Sequence, residues 1–419
     1  MIRYQMLVAF FLLFAASRTH ADDPLPSRAW FPKARPFPRP TGPVIRVATV
    51  DELFRAVADV RPGGTIMIAS GRYLMPQTLE LKTDDITLRG ESGERSDVVL
   101  DGAQSRHGEL IAVTGCSGVT IADLTIQNIR WNGFKLNSDR KAHRVTIYNC
   151  VARNVWQRMV KGPAIGEKDR DDFSPRDCRI QYCLFHNDRP KQYSDDSEDT
   201  PDNYRGNYIG GIDVMQARGW VISDNVFSGI RGRTGEARGA IFLWVDSRDC
   251  VVERNIVINC DSGICLGNSL RDGTSLHCIR CIVGNNFVTR GPEAGIFAGY
   301  TRNCSILHNT IHDPGSRFKR LIRVLGDNDG LLVANNLLSG PPPSIETPAK
   351  VELRNNIARD LTKMFVGPAE GNLHLSTAVD GVTAAVTALV EVPEDIDRRP
   401  RGKRTDIGGH DYTASLRRP

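Results

Sequence analysis

The segment WVISDNVF at residues 220–227 is the first clear copy of a pattern that returns as far as residue 358. Each copy alternates apolar and polar residues with a period of two, as expected for a short strand with one buried face. An asparagine follows the central apolar residue of each copy by three positions, at intervals of 20 to 31 residues. The six asparagines are Asn225, Asn255, Asn286, Asn309, Asn336 and Asn356.

One such strand cannot bury its apolar face alone, but strands stacked in parallel about 4.8 Å apart bury every face in one core. The interval between copies varies too much for a helical solenoid. An inward asparagine at the same turn of each coil can hydrogen-bond the backbone and the asparagines above and below it. The pattern therefore predicts an all-β solenoid, a single-stranded parallel β-helix with an asparagine ladder.

The chain divides into four predicted segments. Residues 1–21 have a basic start, an apolar run and small residues, which predicts a signal peptide cleaved near Ala21 and a secreted or periplasmic protein. An uncleaved anchor is the alternative, which the short apolar run disfavours. Residues 22–43 predict a Pro-rich extended linker, residues 44–392 the β-helix, and residues 393–419 a loosely attached basic tail. We expect no membrane span and a monomer.

Charge gives little indication of a nucleic-acid partner. The chain has a formal net charge of +5, of which Arg3 and Arg18 leave with the signal peptide. The tail from Asp397 onward contains seven basic and three acidic residues. The body of the chain is therefore close to neutral, and composition argues against nucleic-acid binding.

The start of the fold predicts a short N-terminal capping helix. Thr49 and Glu52 have the spacing of a capping box, and Leu53, Ala56 and Val60 form an apolar helical face. A helix here would cover the open end of the stack, whose unpaired strand edge otherwise favours aggregation.

The ten cysteines of an exported chain could form disulfides. Cys250, Cys281 and Cys304 share one column of the repeat, and Cys150 and Cys183 share another. Neighbouring coils bring such Cα atoms to about 5 Å, within the range of a disulfide. A column of three cannot pair internally, however, and thiols pack well as small apolar groups. We therefore favour mostly packed thiols over a full set of disulfides.

Several runs carry a family resemblance: GTIMIASGRY at 64–73, ITLRGESG at 86–93, VLDG at 99–102 and the repeated NN-hydrophobic pattern. Together they resemble the right-handed parallel β-helix proteins of the pectin-lyase-like superfamily over residues 45–358. The ending DIGG at 406–409 is similar to that of many exported bacterial members. The resemblance implies the fold. It leaves activity open, because the superfamily includes polysaccharide lyases, hydrolases, epimerases and esterases.

The second strand of each coil predicts an outward-facing row. The inward residues are Phe134, Val160, Ile212, Ile241, Ile264, Ile296 and Ile322, and the residue after each points out. The outward row is Lys135, Lys161, Asp213, Phe242, Cys265, Phe297 and Arg323. Its first three members come from consecutive coils, so we expect them to lie side by side.

This cluster suits chemistry on an acidic sugar. A lyase acting on a uronate removes the proton beside a carboxylate and stabilises the resulting charge, which requires a base and cations. We expect Lys161 to be the base, with its pKa lowered by Lys135 and with Asp213 beside it. Lyases of the superfamily resemble this arrangement and use calcium, so calcium is the one cofactor implied, with no metal ligand assigned. The alternative is an ion pair from Lys161 to Asp213 on a solvated face.

Six further residues are candidates for substrate binding: Arg231, Arg238, Trp244, Tyr300, Arg323 and Tyr208. Arginine binds carboxylates, and aromatic side chains either offer flat faces to sugar rings or pack on their neighbours. An insertion at residues 188–207 is predicted to wall a cleft over Lys161 and Asp213. Its carboxylates are either solvated or calcium ligands.

Three functions remain open. The first is a lyase-like enzyme on an acidic polysaccharide, and the second is a non-catalytic β-helix that binds a glycan or cell-surface polymer, with the tail as an accessory contact. The third is a glycoside hydrolase that pairs Asp213 with Asp246 or Glu236. Convergence of Lys161, Asp213 and an arginine in a groove would favour the enzyme. A flat face with paired charges would favour binding.

Overall fold

The computed structural model describes residues 26–270, 276–346 and 350–416, so the predicted signal peptide lies outside the described residues. The chain forms two compact units, Met1–Phe31 and Pro32–Pro419. In the first unit, the described residues 26–31 contain a turn with the rings of Trp30 and Phe31 edge to face. All regular structure described below belongs to the second unit.

Three long parallel sheets form the second unit, and each coil of the chain passes through them in turn. In the described residues, sheet 1 contains Val44–Val47, Thr65–Ile68, Thr87–Gly90, Thr120–Ala122, Thr146–Tyr148, Arg179–Gln181, Val221–Ser223, Val251–Glu253, Ile282–Gly284, Ser305–Leu307, Leu331–Ala334 and Val351–Arg354. Sheet 2 contains Gly71–Leu74, Val98–Asp101, Thr125–Ile129, Val151–Val155, Leu184–His186, Val226–Ser228, Ile256–Ile258, Phe287–Thr289, Thr310–His312, Leu337–Ser339 and Ile357–Ala358. Sheet 3 contains Leu79–Leu81, Glu109–Thr114, Asn132–Asn137, Arg158–Gly162, Gly210–Met215, Gly239–Trp244, Ser262–Leu266, Ala294–Gly299, Ile322–Leu325 and Ser344–Glu346.

Smaller elements decorate this stack. The remaining described strands are Ser247–Arg248, Cys278–Ile279, Thr301–Arg302, Phe365–Gly367, Asn372–Leu375, Val386–Thr387 and Arg404–Thr405. The α-helices are Val50–Asp59, Arg170–Phe173 and Tyr412–Leu416, and the 3₁₀ helices are Ser138–Arg140, Glu167–Asp169, Tyr193–Asp195, Tyr204–Gly206, Thr362–Met364 and Pro368–Glu370. No helix in the described residues has the length and apolar character needed to cross a bilayer.

The core lies between the three sheets. Ile222, Val252 and Val283 are register partners on successive strands of sheet 1, and all three are fully buried. Because side chains alternate between the two faces of a strand, one set of apolar side chains from each strand points into the core. Stacking of the coils joins these sets into continuous columns. The predicted all-β parallel β-helix is confirmed.

The asparagine ladder fixes the turn between sheets 1 and 2. The Asn255 Oδ1 accepts hydrogen bonds from the backbone N–H of Asn225 at 3.1 Å and from its side-chain amide at 2.9 Å. Asn255 Nδ2 donates to the Ile222 carbonyl at 2.9 Å and to Asn286 Oδ1 at 3.0 Å. The pattern continues to Asn356. Each ladder asparagine follows a residue with positive φ, namely Asp224, Arg254, Asn285, His308, Asn335 and Asn355.

Replacing one rung of the ladder is expected to destabilise the fold. Asn255→Ala leaves the buried Asn225 N–H and the Ile222 carbonyl without this partner, at about 1–3 kcal/mol for each unpaired group. We expect the free energy of unfolding to fall by about 2–4 kcal/mol in urea denaturation. Asn203→Ala, at an exposed asparagine, is the control and should change it by about 0.5 kcal/mol or less. Equal effects of the two substitutions would contradict the ladder's role.

The capping helix is confirmed at Val50–Asp59. The Thr49 hydroxyl accepts a hydrogen bond from the Glu52 N–H at 3.2 Å, and the Glu52 carboxylate accepts one from the Thr49 N–H at 3.2 Å. Leu53 and Ala56 are buried in the core at the first coils. The start of this helix could be predicted from the sequence because the two residues of a capping box are only three positions apart.

The cysteines pack as thiols. All ten are free, and nine of them are buried. The backbone N–H of Cys150 donates to Cys183 Sγ at 3.4 Å, and that of Cys281 donates to Cys304 Sγ at 3.4 Å. Burial raises the pKa of the Cys178 thiol to about 12, which keeps it protonated and unreactive.

The predicted linker and tail both contact the stack. In the linker, the carbonyl of Arg35 accepts a hydrogen bond from the Tyr148 hydroxyl at 2.8 Å. In the tail, Arg401 is nearly buried and donates to Asn285 Oδ1 at 2.6 Å and to the Gly408 carbonyl at 2.9 Å. The expectation of a loosely attached tail is therefore wrong for residues 393–416. The segment boundaries themselves stay predictions.

Candidate active site

The outward row of sheet 3 has the predicted register. Lys135 is the register partner of Lys161, and Lys161 is the partner of Asp213. The row continues through Phe242, Cys265, Phe297 and Arg323. Neighbouring strands are about 4.8 Å apart, so the row brings residues that are far apart in sequence onto one surface.

Asp213 is the centre of the polar part of this row. Its carboxylate accepts hydrogen bonds from Arg158 Nε at 2.6 Å, Lys161 Nζ at 3.0 Å and Trp244 Nε1 at 3.0 Å. Asp213 is only 2% exposed. Burial alone raises the pKa of this carboxyl, but Arg158 and Lys161 outweigh burial and hold the pKa at about 2. These four residues are called the Asp213 cluster below.

Lys161 is the charged member of the Asp213 cluster that still reaches solvent, with 12% of its side chain exposed. Its pKa is lowered, chiefly by burial, and the Arg158 charge acts in the same direction. Asp213 opposes this shift. The expected direction is therefore right, but Lys135 contributes less than burial and Arg158 do.

Lys135 has a carboxylate partner on the preceding coil. Its Nζ lies 2.7 Å from Glu109 Oε1, and Asn132 also donates to that oxygen at 3.1 Å. Both predicted lysines of the row are therefore paired. The ion pair of the alternative, from Lys161 to Asp213, is therefore present, but its carboxylate is buried and not on a solvated face.

A groove with a volume of about 190 Å³ lies along the later part of the row. Its lining includes Glu236, Arg238, Phe242, Cys265, Glu293, Phe297 and Arg323. Because Phe242 is the register partner of Asp213, the groove begins one coil from the Asp213 cluster. In the described residues, Arg238 has no ion-pair partner, whereas Arg323 is held by Glu346 at 2.9 Å.

The comparison with protein families agrees with this geometry. A family model for the right handed beta helix region matches residues 109–338, which is more than half of the chain and contains the Asp213 cluster. The chain belongs to the right-handed β-helix family. A search of curated proteins gave no match for it.

Several solved structures are similar to this right-handed β-helix protein at low identity. An alginate lyase from Paenibacillus sp. str. FPU-7 is 12% identical, with 75% of this chain and 99% of that chain covered and a TM-score of 0.41. Pectate lyase Pel9A is 12% identical, with 85% and 90% covered and a TM-score of 0.45. A polygalacturonase from Erwinia carotovora ssp. carotovora is 11% identical, with 78% and 96% covered and a TM-score of 0.44. The likeness concerns the fold alone.

The structure places two predicted binding residues of the right-handed β-helix protein at the Asp213 cluster. Trp244 donates to Asp213 and stacks on Phe242 with ring centroids 4.9 Å apart. The Arg158 guanidinium lies 4.0 Å from the centroid of the Tyr208 ring. The two aromatic residues therefore border the acidic centre.

Two of the other four predicted binding residues line the groove, and two do not. Arg238 and Arg323 line the groove. Tyr300 packs edge to face on His277, with centroids 5.7 Å apart. Arg231 does not join them, because it lines a separate cavity on the other side of the 231–238 loop.

The insertion is anchored by a buried lysine. Lys191 is fully buried, and its Nζ lies 3.0 Å from Asp196 Oδ2 and 2.9 Å from Asp199 Oδ2. Asp196 also accepts a hydrogen bond from Gln157 at 2.9 Å, which ties the insertion to the start of the Arg158 strand. The expectation of solvated carboxylates or calcium ligands is therefore wrong for Asp196 and Asp199, because both are buried and their oxygens already accept hydrogen bonds from Lys191 and from backbone N–H groups.

Removing this lysine is expected to release the insertion. Lys191→Met leaves Asp196 and Asp199 buried without a cation, and breaking a buried pair costs about 3–5 kcal/mol. We expect limited proteolysis to cut faster within residues 188–207. Lys168→Met, at an exposed lysine, is the control and should leave the cutting rate unchanged. Equal protection of the two variants would contradict the anchoring role.

One close group of metal-type ligands occurs in the described residues: Asp395, Asp397 and His410. His410 Nδ1 accepts a hydrogen bond from the Leu375 N–H at 3.1 Å, so the proton of the neutral ring is on Nε2. Burial lowers the pKa of His410 to about 3, which keeps the ring neutral. Neither nitrogen then offers a lone pair to a metal, and this group does not fit a metal site.

The geometry disfavours a hydrolase built on Asp213. A carboxyl with a pKa of about 2 is ionised and cannot act as a general acid, and three donors already occupy its oxygens. Asp246, one proposed partner, is held by Arg218 at 2.7 Å and by Arg248 at 2.9 Å. Glu236 remains exposed at the groove.

Sequence reasoning missed Arg158, the closest partner of Asp213. Arg158 begins its strand and has the same period-two phase as the inward Val160, which removes it from the outward row. A signal was present all the same. An arginine at a strand position whose side chain is buried requires a carboxylate partner. Asp213 is the acidic residue on the adjacent strand of the next coil.

Proposed function

We propose that this right-handed β-helix protein cleaves an acidic, uronate-containing polysaccharide by β-elimination, with Lys161 as the base. The observation that carries the proposal is the convergence of Lys161, Asp213 and Arg158 one strand away from a groove bordered by aromatic rings and arginines. Burial lowers the pKa of Lys161, so its amine can lose its proton near neutral pH more readily than an exposed lysine.

Each residue has a defined role in the proposed step. The neutral Lys161 Nζ takes the proton from the carbon beside the uronate carboxylate. The electron pair forms a carbon–carbon double bond as the bond from the ring carbon to the glycosidic oxygen breaks, and that oxygen takes a proton from water. Arg238 neutralises the uronate carboxylate, because it lines the groove and has no ion-pair partner in the described residues. Arg158 and Asp213 position Lys161.

A second candidate function is binding without catalysis. The observation that favours it is the pairing of both row lysines, Lys135 with Glu109 and Lys161 with Asp213. A binding face needs no neutral lysine, and paired charges on a rigid sheet still present hydrogen-bond donors to a glycan.

The deciding experiment is ultraviolet absorbance of the unsaturated product during incubation with a panel of uronate polysaccharides, with and without calcium. The lyase hypothesis expects a rise in absorbance. No rise and no new reducing ends, together with measured binding of the same polymers, would replace it with the binding hypothesis. New reducing ends without the absorbance rise would replace it with hydrolysis.

The activity is expected to depend on pH as it does for a catalytic lysine that must be deprotonated to act as a base. Because the pKa of Lys161 is lowered from its ordinary value of 10.5, activity should rise with pH to a plateau reached below the range of a free lysine. Activity should be lost as pH falls through that pKa. The measurement is kcat/KM against pH, and a profile that falls with rising pH over this range would contradict the assignment.

The proposal includes export of a monomer. Cleavage near Ala21 would leave the described residues of the linker and the β-helix in the mature chain. N-terminal sequencing of protein from the periplasm and the medium tests the cleavage, and light scattering tests the monomer. A mature N-terminus at Met1 would contradict export by cleavage.

A further inference from the structure

A second cavity lies on the far side of the 231–238 loop from the groove. Its volume is about 460 Å³. Four arginines contribute to its lining: Arg231, Arg233, Arg290 and Arg317. This space is called the arginine cavity below.

None of these four guanidinium groups forms an ion pair within the described residues, which is also true of Arg238 in the groove. Arginines elsewhere on the surface do form ion pairs, for example Arg280 with Asp249, Arg323 with Glu346 and Arg398 with Asp224. Arg233 stacks on Tyr193 at 4.6 Å and Arg317 on Phe318 at 5.0 Å. Stacking uses the face of a guanidinium and leaves its N–H edge for a ligand.

The carboxylates in the lining do not neutralise the arginines. The cavity contains Asp261 and Asp313, two acids against four guanidinium groups. Asp261 Oδ2 accepts hydrogen bonds from the Gly232 N–H at 2.7 Å and the Ala237 N–H at 3.0 Å, which fixes the loop. Burial raises the pKa of both acids, while the charges of Arg231 on Asp261 and of Arg290 on Asp313 act in the opposite direction. The cavity therefore has a net positive charge and a rigid wall.

A third space lies between the arginine cavity and the groove and shares lining residues with both. This space of about 480 Å³ shares Arg233 and Arg317 with the arginine cavity and shares Glu236 and Glu293 with the groove. A polymer in the groove can therefore extend around residues 233–236 into the arginine cavity. Short oligosaccharides confined to the groove would not reach it.

We propose that the arginine cavity is a second oxyanion subsite, which binds an acidic group of the same polyanion several sugar units from the reacting bond. The inference rests on the proposed function for the identity of the polymer. Planar guanidinium forks bind carboxylates and sulfate esters alike, so the shared chemistry is that of an oxyanion on a glycan. Four unpaired forks in one concavity favour a polymer with closely spaced acidic groups.

The test is calorimetric binding in a Lys161→Ala background, where no turnover occurs. Short and long oligogalacturonate fractions measure the length dependence, and chondroitin against chondroitin sulfate separates a carboxylate from a sulfate ester.

Arg231→Gln with Arg290→Gln should weaken binding of the long fraction about tenfold per arginine, which corresponds to about 1.4 kcal/mol for each. Binding of the short fraction should not change. Lysine at both positions should give an intermediate loss, since charge is kept and the fork is lost.

Arg280→Gln with Arg302→Gln is the matched control, because it removes the same two charges at exposed arginines outside the cavity and the groove. Equal weakening by this control and by the cavity variants would overturn the subsite in favour of general charge attraction. Equal weakening of short and long fractions, or no binding of any polyanion by the parent protein, would also overturn it. The absorbance assay on the wild-type chain is separate. Length-dependent binding without unsaturated product would exclude the lyase function and keep the subsite. Formation of unsaturated product together with unchanged binding in the cavity variants would keep the lyase function and exclude the subsite.

Discussion

Lys161→Ala is expected to lower the rate of β-elimination by about 10²–10⁴-fold, which is the range for loss of a positioned general base. Lys161 is the exposed basic group of the Asp213 cluster, and its lowered pKa gives it a larger neutral fraction than an ordinary lysine. Removing it leaves no group at that position to take the proton beside the uronate carboxylate. The measurement is the initial rate of ultraviolet absorbance with the polysaccharide that gives the strongest signal.

Two controls separate the base from a structural effect. Lys135→Ala removes the neighbouring lysine of the row, which is paired to Glu109 and contributes little to the pKa of Lys161. It should change the rate far less than Lys161→Ala does. Circular dichroism and the urea midpoint should show that Lys161→Ala stays folded. A folded Lys161→Ala protein with more than a tenth of the wild-type rate would remove Lys161 as the base.

The stack was predictable from sequence because its signals are short-range and repeat. Strand alternation fixes which residue of Gly263-Ile-Cys-Leu points outward, and the same rule applied to each coil gives the register of the whole row. The ladder asparagines were predictable for the same reason. Each asparagine occupies the same turn of its coil, and its side chain hydrogen-bonds the asparagine of the next coil.

The pairing of charges was not predictable, because it depends on contacts between residues far apart in sequence. Arg158 and Asp213 are separated by 55 positions, and Lys191 contacts Tyr208 and two acids through the fold of the insertion. Charge patterns on a linear sequence cannot show which acid receives which base. The acidic insertion therefore resembled a solvated loop although part of it is a buried ionic core.

The tail illustrates the same limit. Its arginines predicted an accessory contact for an acidic polymer, but the chain itself uses them. Arg398 binds Asp224 at 2.6 Å, and Arg404 donates to the carbonyls of Ala384 and Ala385 at 3.0 and 2.8 Å. Arginines without an ion pair in the described residues instead line the arginine cavity, at Arg231, Arg233, Arg290 and Arg317. Composition measures charge, whereas binding depends on which charges remain unpaired.

Asp213 is also expected to contribute to stability with a definite pH dependence. Its pKa is about 2 in the folded chain against an ordinary value of 3.8, so the folded state favours the ionised form. A depressed carboxyl pKa gives stability that is complete above the unfolded-state pKa and is lost as pH falls through the folded-state pKa. The contribution is about 2 kcal/mol, and it disappears between about pH 4 and pH 2.

Asp213→Ala is accordingly expected to cost about 3–5 kcal/mol of the free energy of unfolding at neutral pH, since it leaves a buried cation without its partner. The Arg158 side chain is 2% exposed and has no other carboxylate in contact in the described residues. Asp249→Ala is the matched control: it also removes the carboxylate partner of an arginine, but Arg280 is half exposed, so the loss of that pair should cost far less than the loss of the buried one. Urea denaturation measures both variants. A cost for Asp213→Ala no greater than that of the control would show that Arg158 is stabilised by other groups, and elimination activity kept in that variant would remove Asp213 as the residue that positions Lys161.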